Sequence, residues 1–273
     1  MQKQQLAVIT GGASGIGRAF GEALAARGVE VVLADLQAAL AEEVAEGIRR
    51  RGGRAHAAAL DVRSYDDFAA LVDEHAGRAG RLDYLFNNAG IGISGEAHHY
   101  ALSDWNEVLD INVRGVCNGI QACYRRMCTQ GFGRIVNTAS AAGLLPSPGL
   151  ASYTTSKFAV VGLSRGLRIE ARRFGVSVSA LCPGVVRTPI LDSDRFAGPR
   201  QPSARLRESM EKMGPIAPEY LVRAALPQID RGVGIIVVPR WMKLIWYIDR
   251  LAPSVSERLA SWTHSKIVGP DAR

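Results

Sequence analysis

The sequence predicts a single α/β domain whose core is a doubly wound parallel sheet of about seven strands with helices on both faces. Short apolar runs of strand length alternate with segments of helical periodicity from Leu6 to Val238, as expected for successive βαβ units. A glycine-rich turn joins the first strand directly to the first helix. We place the domain at residues 1–238 of the 273 and treat 239–273 as a C-terminal extension.

The predicted elements follow one another with short connections. The strands are expected at 6–9, 29–34, 55–60, 82–86, 133–138, 176–181 and 233–238. The helices between them are expected at 16–27, 38–51, 64–79, 103–130, 151–174 and 217–230, with Ser64 and Ser103 as N-caps. Residues 188–215 hold four prolines and break this alternation, so we interpret them as a substrate-binding loop.

Composition excludes several classes of protein. The net charge is +7, but the basic residues are scattered, so no nucleic-acid partner is expected. The four cysteines form no C-x-x-C pattern, which favours reduced thiols over disulfides or zinc. Residues 1–9 do not resemble a signal peptide, and the chain lacks an apolar run of about 18 residues. We therefore expect a cytoplasmic protein.

The first glycine-rich turn, Thr10 to Gly17, has the form expected for dinucleotide binding. Glycines let the backbone approach a pyrophosphate, and the start of the following helix supplies amide donors. Asp35 ends the second strand 18 residues beyond Gly17, where a carboxylate binds the adenosine ribose hydroxyls. Neither Ser14 nor Leu36 is basic, so NAD is favoured over NADP. A plain βα turn, with Asp35 as a helix cap, is the alternative interpretation.

Tyr153 and Lys157 lie four residues apart in a predicted helix and hence on one face of it. An ammonium group near a phenol favours the phenolate and lowers its pKa from about 10. The pair could therefore exchange a proton at neutral pH. The alternative is an ordinary solvated helix face.

Two polar segments follow predicted strands, and a third polar residue lies within a predicted helix. Asp61 and Val62 are a plausible adenine contact, whereas the amides in 87–90 are expected to support the scaffold by bonding neighbouring strands. Asn112 lies inside a helix, where a buried amide needs partners. It is expected to hold a helix bend or a water molecule.

The adjacent His98 and His99 are interpreted as loop histidines rather than metal ligands, because neighbouring side chains on a helix diverge and no third ligand is evident.

The C-terminal extension has apolar residues at helical spacing between Trp241 and Leu251. We expect it to pack on its own domain or on a partner subunit. Its aromatic and basic composition leaves a membrane-surface contact as a less favoured alternative, and a lid over the substrate pocket as a third.

Together these motifs resemble the classical short-chain dehydrogenase/reductase family over about residues 6–238. The matching segments are Thr10-Gly11-x-x-x-Gly15-x-Gly17, Asn87-Asn88-Ala89-Gly90, Asn112, Ser140, Tyr153-x-x-x-Lys157 and Pro183-Gly184. The resemblance implies a Rossmann-type fold and a homo-oligomer, although the long extension makes a dimer or a membrane-associated form credible beside the usual tetramer.

The resemblance also implies roles for individual residues. Tyr153 would be the general acid/base, and Lys157 would lower its pKa and hold the nicotinamide ribose. Ser140 would bind the substrate oxygen, and Asn112 would position a water. The cofactor-binding set would be Gly11, Ser14, Gly15, Ile16, Gly17, Asp35, Leu36, Asp61, Val62, Asn88, Ala89, Gly90, Tyr153, Lys157, Pro183, Gly184, Val186 and Thr188.

The expected function is NAD(H)-dependent hydride transfer to or from a hydrophobic secondary alcohol or ketone. Candidate pocket residues near the motifs are all apolar: Ile91, Ile93, Leu144, Leu145, Val185, Ile190 and Leu191. The alternatives are an NADP(H)-dependent carbonyl reductase and a non-catalytic dinucleotide-binding protein.

Overall fold

The computed structural model describes residues 4–192, 208 and 211–268. Within them, parallel strands form one sheet of order β3-β2-β1-β4-β5-β6-β7. The strands are β1 (Leu6–Thr10), β2 (Glu30–Asp35), β3 (Ala55–Ala59), β4 (Tyr84–Asn87), β5 (Gly133–Thr138), β6 (Val176–Pro183) and β7 (Ile235–Val238). The predicted doubly wound sheet is confirmed.

The helices alternate with the strands as expected. They are α1 (Gly15–Ala26), α2 (Ala38–Arg50), α3 (Tyr65–Ala79), α4 (Leu102–Leu109), α5 (Gly115–Gln130), α6 (Ala151–Ala171), α7 (Pro218–Asp230), α8 (Met242–Leu251) and α9 (Pro253–Val268). The Ser64 hydroxyl caps α3 by accepting from the Asp67 amide, as predicted.

The helix expected from Ser103 to Gln130 differs in two respects. It begins at Leu102 with Ala101 as N-cap, because the Asp104 carboxylate accepts a 2.8 Å bond from the Ala101 amide and closes the first turn from inside the helix. A π-helical turn, Asp110–Arg114, separates α4 from α5. Such turns are frequent at functional sites.

Two apolar layers enclose the sheet. Phe20 and Leu24 of α1 belong to the cluster on one face, together with side chains of α2 and α7. Phe68 of α3 and Val160 of α6 belong to the cluster on the other face, together with α5. Burial on both faces explains why the central strands are apolar runs rather than alternating sequences.

The loop predicted at 188–215 is described only in part, and most of it lies outside the described residues. Val186 pairs with Ile216 in an isolated parallel bridge, and Pro189–Asp192 forms a short 3₁₀ turn.

The C-terminal extension folds as α8 and α9. Met242 and Trp246 of α8 pack against the main apolar cluster, whereas most large apolar side chains of these helices are exposed. The exposed ones are Trp241, Leu244, Ile245, Tyr247, Ile248, Leu251, Val255, Leu259 and Trp262. Among the described helices, none combines the length and apolarity needed to cross a membrane.

Candidate active site

The sequence-predicted residues converge at the carboxyl edge of the sheet, where the strand order changes direction between β1 and β4. Open α/β sheets bind ligands at this switch point because the loops after neighbouring strands diverge there. Gly11 follows β1, Asn88 follows β4, Ser140 follows β5 and Gly184 follows β6. Residues separated by up to about 170 positions therefore meet at one edge.

The glycine turn is closed tightly on the start of α1. Gly11 has a φ of +64°, which favours glycine. A Cβ at Gly17 would lie 2.0 Å from the Gly11 carbonyl oxygen, and one at Gly12 would lie 2.9 Å from the Leu33 Cα. The turn is thus packed too closely for side chains at Gly12 and Gly17, and it leads into the N-terminus of α1, the kind of position where phosphate groups bind. The Ser14 side chain makes no capping bond in α1.

The Asp35 carboxylate bonds two backbone segments on the side of the site where adenosine is predicted to bind. One carboxylate oxygen accepts from the Ala13 amide at 3.0 Å, and the other accepts from the Gln37 amide at 2.9 Å. It therefore supports the glycine turn and the start of α2 together. Each oxygen keeps a further lone pair for a hydroxyl donor. Leu36, next to it, is 73% exposed.

Asp61 and Val62 follow β3 but present different groups. The Asp61 carboxylate is paired with Arg63 at 2.5 Å, and this hydrogen bond lowers the pKa of Asp61. Val62 is buried against Gly115, where an added Cβ would come within 2.7 Å. Because Arg63 already engages the carboxylate, an adenine at this position would depend mainly on the backbone.

The segment after β4 supports the scaffold, as the sequence indicated. The Asn88 amide group donates to the Thr10 carbonyl at 3.1 Å, and its oxygen accepts from the Thr138 hydroxyl at 3.2 Å. The Thr10 hydroxyl accepts from the backbone amides of Asn88 and Ala89. These bonds join the carboxyl ends of β1, β4 and β5 and fix the floor of the site.

Asn112 lies in the π-helical turn and is completely buried. Its side chain accepts from the Ile91 amide and donates to the Ile91 carbonyl, both at 2.9 Å. The second N–H donates to the Ser156 hydroxyl at 3.0 Å. Its amide group therefore clamps the Ile91 backbone, and the π-helical turn around Asn112 agrees with the expected helix bend. The expected contact with a water molecule stays a prediction.

Ser140, Tyr153 and Lys157 form the polar centre. The Lys157 ammonium is buried, donates to the Thr138 carbonyl at 2.8 Å, and lies 5.4 Å from the centre of the Tyr153 ring. Burial lowers the pKa of Lys157 to about 8. Burial raises the pKa of Tyr153, and the nearby Ser140 side chain opposes that rise. The Ser140 hydroxyl accepts from the Ala142 amide at 3.1 Å.

The prediction that Lys157 lowers the pKa of Tyr153 needs correction for the cofactor-free chain. The ammonium is directed at the Thr138 carbonyl, and the net shift of the phenol pKa is upward because desolvation of Tyr153 dominates. The neutral phenol is therefore the stable form before any ligand binds.

Several residues of this site were not singled out by the sequence. The Thr138 carbonyl receives Lys157, and Ser156 joins Asn112 to α6. Met242 of the extension lies over Gly184, where its sulfur would be 2.6 Å from an added Cβ. Its position at the carboxyl end of a strand would have indicated Thr138. Met242 has no such local indicator.

Cys182 is also part of the site floor. It is a buried free thiol, and burial raises its pKa to about 12, while the Lys157 ammonium acts in the opposite direction. The thiol is therefore neutral and contributes packing rather than nucleophilic chemistry.

The predicted pocket residues separate into two groups. Ile91, Leu145, Val185 and Leu191 are partly exposed. Ile190 is 38% exposed. Ile93 and Leu144 are buried within apolar clusters, so their assignment to an open pocket is corrected.

The sequence-based reason for dismissing His98 and His99 is also corrected. In the 3₁₀ turn Ala97–His99 their ring centres nevertheless lie 4.0 Å apart. Glu96 supplies a third donor beside them.

Comparison with known proteins identifies the family. The sequence profile described as short chain dehydrogenase matches residues 5–197. The chain belongs to the short-chain dehydrogenase family. It is accordingly an oxidoreductase of this family, with the matched segment running from the first strand, through the helix that carries Tyr153, to beyond β6.

Individual relatives agree with this assignment. Oxidoreductase UcpA of Salmonella typhimurium is 36% identical over 204 residues, which cover 74% of this chain and 77% of that protein. A short-chain dehydrogenase/reductase from Burkholderia phymatum, solved with NAD, superposes with a TM-score of 0.83 at 30% identity, covering 93% and 96% of the two chains. A short-chain dehydrogenase from Sphingobium yanoikuyae, solved with NADPH, gives 0.77 at 27% identity, covering 94% and 95%.

Proposed function

We propose that this short-chain dehydrogenase transfers hydride between NAD(H) and a hydrophobic secondary alcohol or ketone, with Tyr153 as general acid/base. One observation carries the proposal. A buried lysine ammonium lies 5.4 Å from the centre of the Tyr153 ring, and the nearby Ser140 side chain lowers the pKa of the phenol against the effect of burial. A substrate oxygen between two hydroxyl groups would meet both a proton donor and a second hydrogen-bond partner.

The glycine turn and the strand ends would hold the cofactor. Gly11 to Gly17 would cradle the pyrophosphate at the start of α1, and Asp35 would bind the adenosine ribose. Asp61 and Val62 would border the adenine. The residues expected around the nicotinamide half are Asn88, Ala89, Gly90, Lys157, Pro183, Gly184, Val186 and Thr188. The bound nicotinamide supplies the hydride chemistry.

The phenol of Tyr153 would handle the proton. Its pKa is raised in the cofactor-free chain, so it starts protonated and suits the general acid that completes ketone reduction. In alcohol oxidation it would accept the hydroxyl proton, which requires its pKa to fall when positive charge is placed beside it. The Ser140 hydroxyl would hold the same substrate oxygen.

Absorbance of the reduced nicotinamide tests this proposal directly. Purified chain is assayed with secondary alcohols and the matching ketones of steroid, terpene and aryl types. We expect Tyr153→Phe to lower kcat by about 10²- to 10⁴-fold, with NADH affinity, measured by fluorescence, unchanged. Unchanged turnover in this variant would contradict the role of Tyr153. Turnover confined to small, highly charged alcohols would contradict the apolar substrate.

Cofactor choice is tested by titrating NADH and NADPH in parallel. Asp35 would put a negative charge beside a 2′-phosphate, and exposed Leu36 would offer that phosphate no cation. The Sphingobium relative was solved with NADPH, which keeps NADP(H)-dependent reduction as the second candidate. NADPH binding as tight as NADH binding would favour that candidate. Cofactor binding without turnover of any panel member would favour a non-catalytic role.

We also propose that the chain forms a homo-oligomer. Phe158 and Ile169 of α6 are 47% and 73% exposed, and a second copy of the chain could cover these apolar side chains. Sedimentation or light scattering reports the assembly, and a monomer at all concentrations would refute it.

A further inference from the structure

Three of the chain's five histidines surround one carboxylate at the rim of the candidate active site. One Glu96 oxygen lies 4.0 Å from Nε2 of His98, and the other lies 3.6 Å from Nε2 of His264. Donor atoms of Glu96, His98 and His99 all lie within 4.8 Å of one another. His264 reaches this group from α9, 165 positions beyond His99 in the sequence.

The chemistry of this group suits a borderline divalent transition metal. Neutral imidazole nitrogens and a carboxylate oxygen are common zinc ligands, and four of them complete a tetrahedral site. The donor atoms of such a site are about 3.4 Å apart, given metal–ligand bonds of about 2.1 Å. His98 is 68% exposed on its side chain, so a change of rotamer can bring its ring inward.

The other two histidines, His56 and His75, also lie beside a glutamate, but that group is unsuited to binding a metal ion. His56 and His75 have ring centres 5.3 Å apart, and Glu30 accepts from His56 at 2.8 Å. The Arg78 guanidinium contacts all three of these side chains at 3.1–3.2 Å. A cation therefore already lies among them. At Glu96 the described ion-pair partners are two histidines.

The position of the Glu96 group gives it a mechanical role. The Gly95 amide donates to the Gly149 carbonyl at 2.9 Å, and Gly95 forms a bridge with Leu150, the N-cap of α6. The His264 ring lies 3.9 Å from the position of a Cβ at Gly149. Three segments thus meet here, only three residues before Tyr153.

We propose that Glu96, His98, His99 and His264 bind a zinc ion or a similar borderline divalent metal ion. The ion fastens α9 to residues 96–99, and this segment is joined through Gly95 to Leu150 at the start of α6. This fastening holds the C-terminal helices against the rim of the site. The metal takes no part in proton or hydride transfer, so the proposal stands apart from the proposed oxidoreductase activity.

Zinc titration of the tag-free chain tests the site by calorimetry and by competition with a chromophoric chelator. We expect one zinc ion per chain. Loss of an outer-shell partner costs about 10- to 100-fold in metal affinity, so replacing a ligand in Glu96→Gln or His264→Gln should cost at least about tenfold. His56→Gln is the matched control and should leave the affinity unchanged. Cys117→Ser removes an exposed thiol that could bind zinc separately, and it too should have no effect.

Limited trypsin digestion tests the fastening. Zinc should slow cleavage after exposed Arg258 in the wild-type chain but not in His264→Gln, whose fold is checked by its unchanged thermal melting without metal. Absence of zinc binding, or equal binding in the wild type, Glu96→Gln and His264→Gln, overturns the site. Binding that depends on Glu96 but not on His264 overturns the fastening role.

Discussion

The buried ammonium of Lys157 should make the folded chain less stable at neutral pH than a chain without it. Burial lowers its pKa from 10.5 to about 8. Each pKa unit corresponds to about 1.4 kcal/mol, so the folded state disfavours the charged form by about 3 kcal/mol. The bond to the Thr138 carbonyl offsets about 2 kcal/mol of this. Lys157→Met should therefore raise the free energy of unfolding at pH 7 by about 1 kcal/mol.

The sign of this effect depends on pH through proton linkage. Because the pKa of Lys157 is lower in the folded chain than in the unfolded chain, the unfolded chain binds more protons between about pH 8 and 10.5. The contribution of Lys157 to the free energy of unfolding of the wild type therefore rises with pH between about pH 8 and 10.5. From pH 7 to pH 10 the wild type should gain about 2 to 3 kcal/mol relative to Lys157→Met. The stability order of the two chains should reverse.

Urea unfolding of the cofactor-free proteins at pH 7 and pH 10 measures this difference, because titration of other groups is common to both chains and cancels. Lys212→Met is the control, since its ammonium is exposed and paired with Glu208 in solvent. A stability difference between wild type and Lys157→Met that is constant with pH would refute the account. The variant should also lose activity, as expected when a buried charge serves function.

Two further substitutions test the cofactor side of the site. Gly17→Ala places a Cβ 2.0 Å from the Gly11 carbonyl oxygen and should abolish NADH binding in a fluorescence titration. Gly77→Ala, which meets no atom within 4 Å, should keep binding and raise the free energy of unfolding by up to about 1 kcal/mol; equal NADH affinity in the two variants would contradict the close approach. Leu36→Arg adds a cation beside Asp35 and should raise the NADPH-to-NADH affinity ratio about tenfold. An unchanged ratio would show that this position does not face the 2′-hydroxyl.

Features set by local spacing were predicted well from the sequence. The glycine turn, Asp35 at the end of β2, and the Tyr153–Lys157 pair on α6 all depend on residues within one βαβ unit. Strand positions were correct to within a few residues because each strand is a buried apolar run between turn residues.

Features set by contacts between distant segments could not be predicted. The Lys157 ammonium is directed at a backbone carbonyl of β5, and no side-chain pattern records that direction. Asn112 was recognised as a buried amide in need of partners, but its partner is the Ile91 backbone. His264 joins Glu96 only because α9 folds back over the domain.

At the start of α4, two neighbouring residues, Ser103 and Asp104, could each cap the helix. Ser103 and Asp104 are both good capping residues, and a prediction from residue type alone selects the serine. The aspartate side chain instead reaches back to the Ala101 amide. Two candidate caps one residue apart differ by less than the sequence can resolve, so such boundaries shift by a residue or two.

At Asn112 the α-helical geometry is interrupted by a π-helical turn, and this turn supports the candidate active site. An amide on that turn joins three elements, because it bonds the segment after β4 through Ile91 and helix α6 through Ser156. A Cβ added at Gly90 would lie 3.1 Å from the side-chain oxygen of Asn112 and 3.4 Å from the ammonium nitrogen of Lys157. Any side chain at Gly90 would press on both. The polar centre is therefore held in position by buried bonds before a ligand arrives, as electrostatic preorganisation requires.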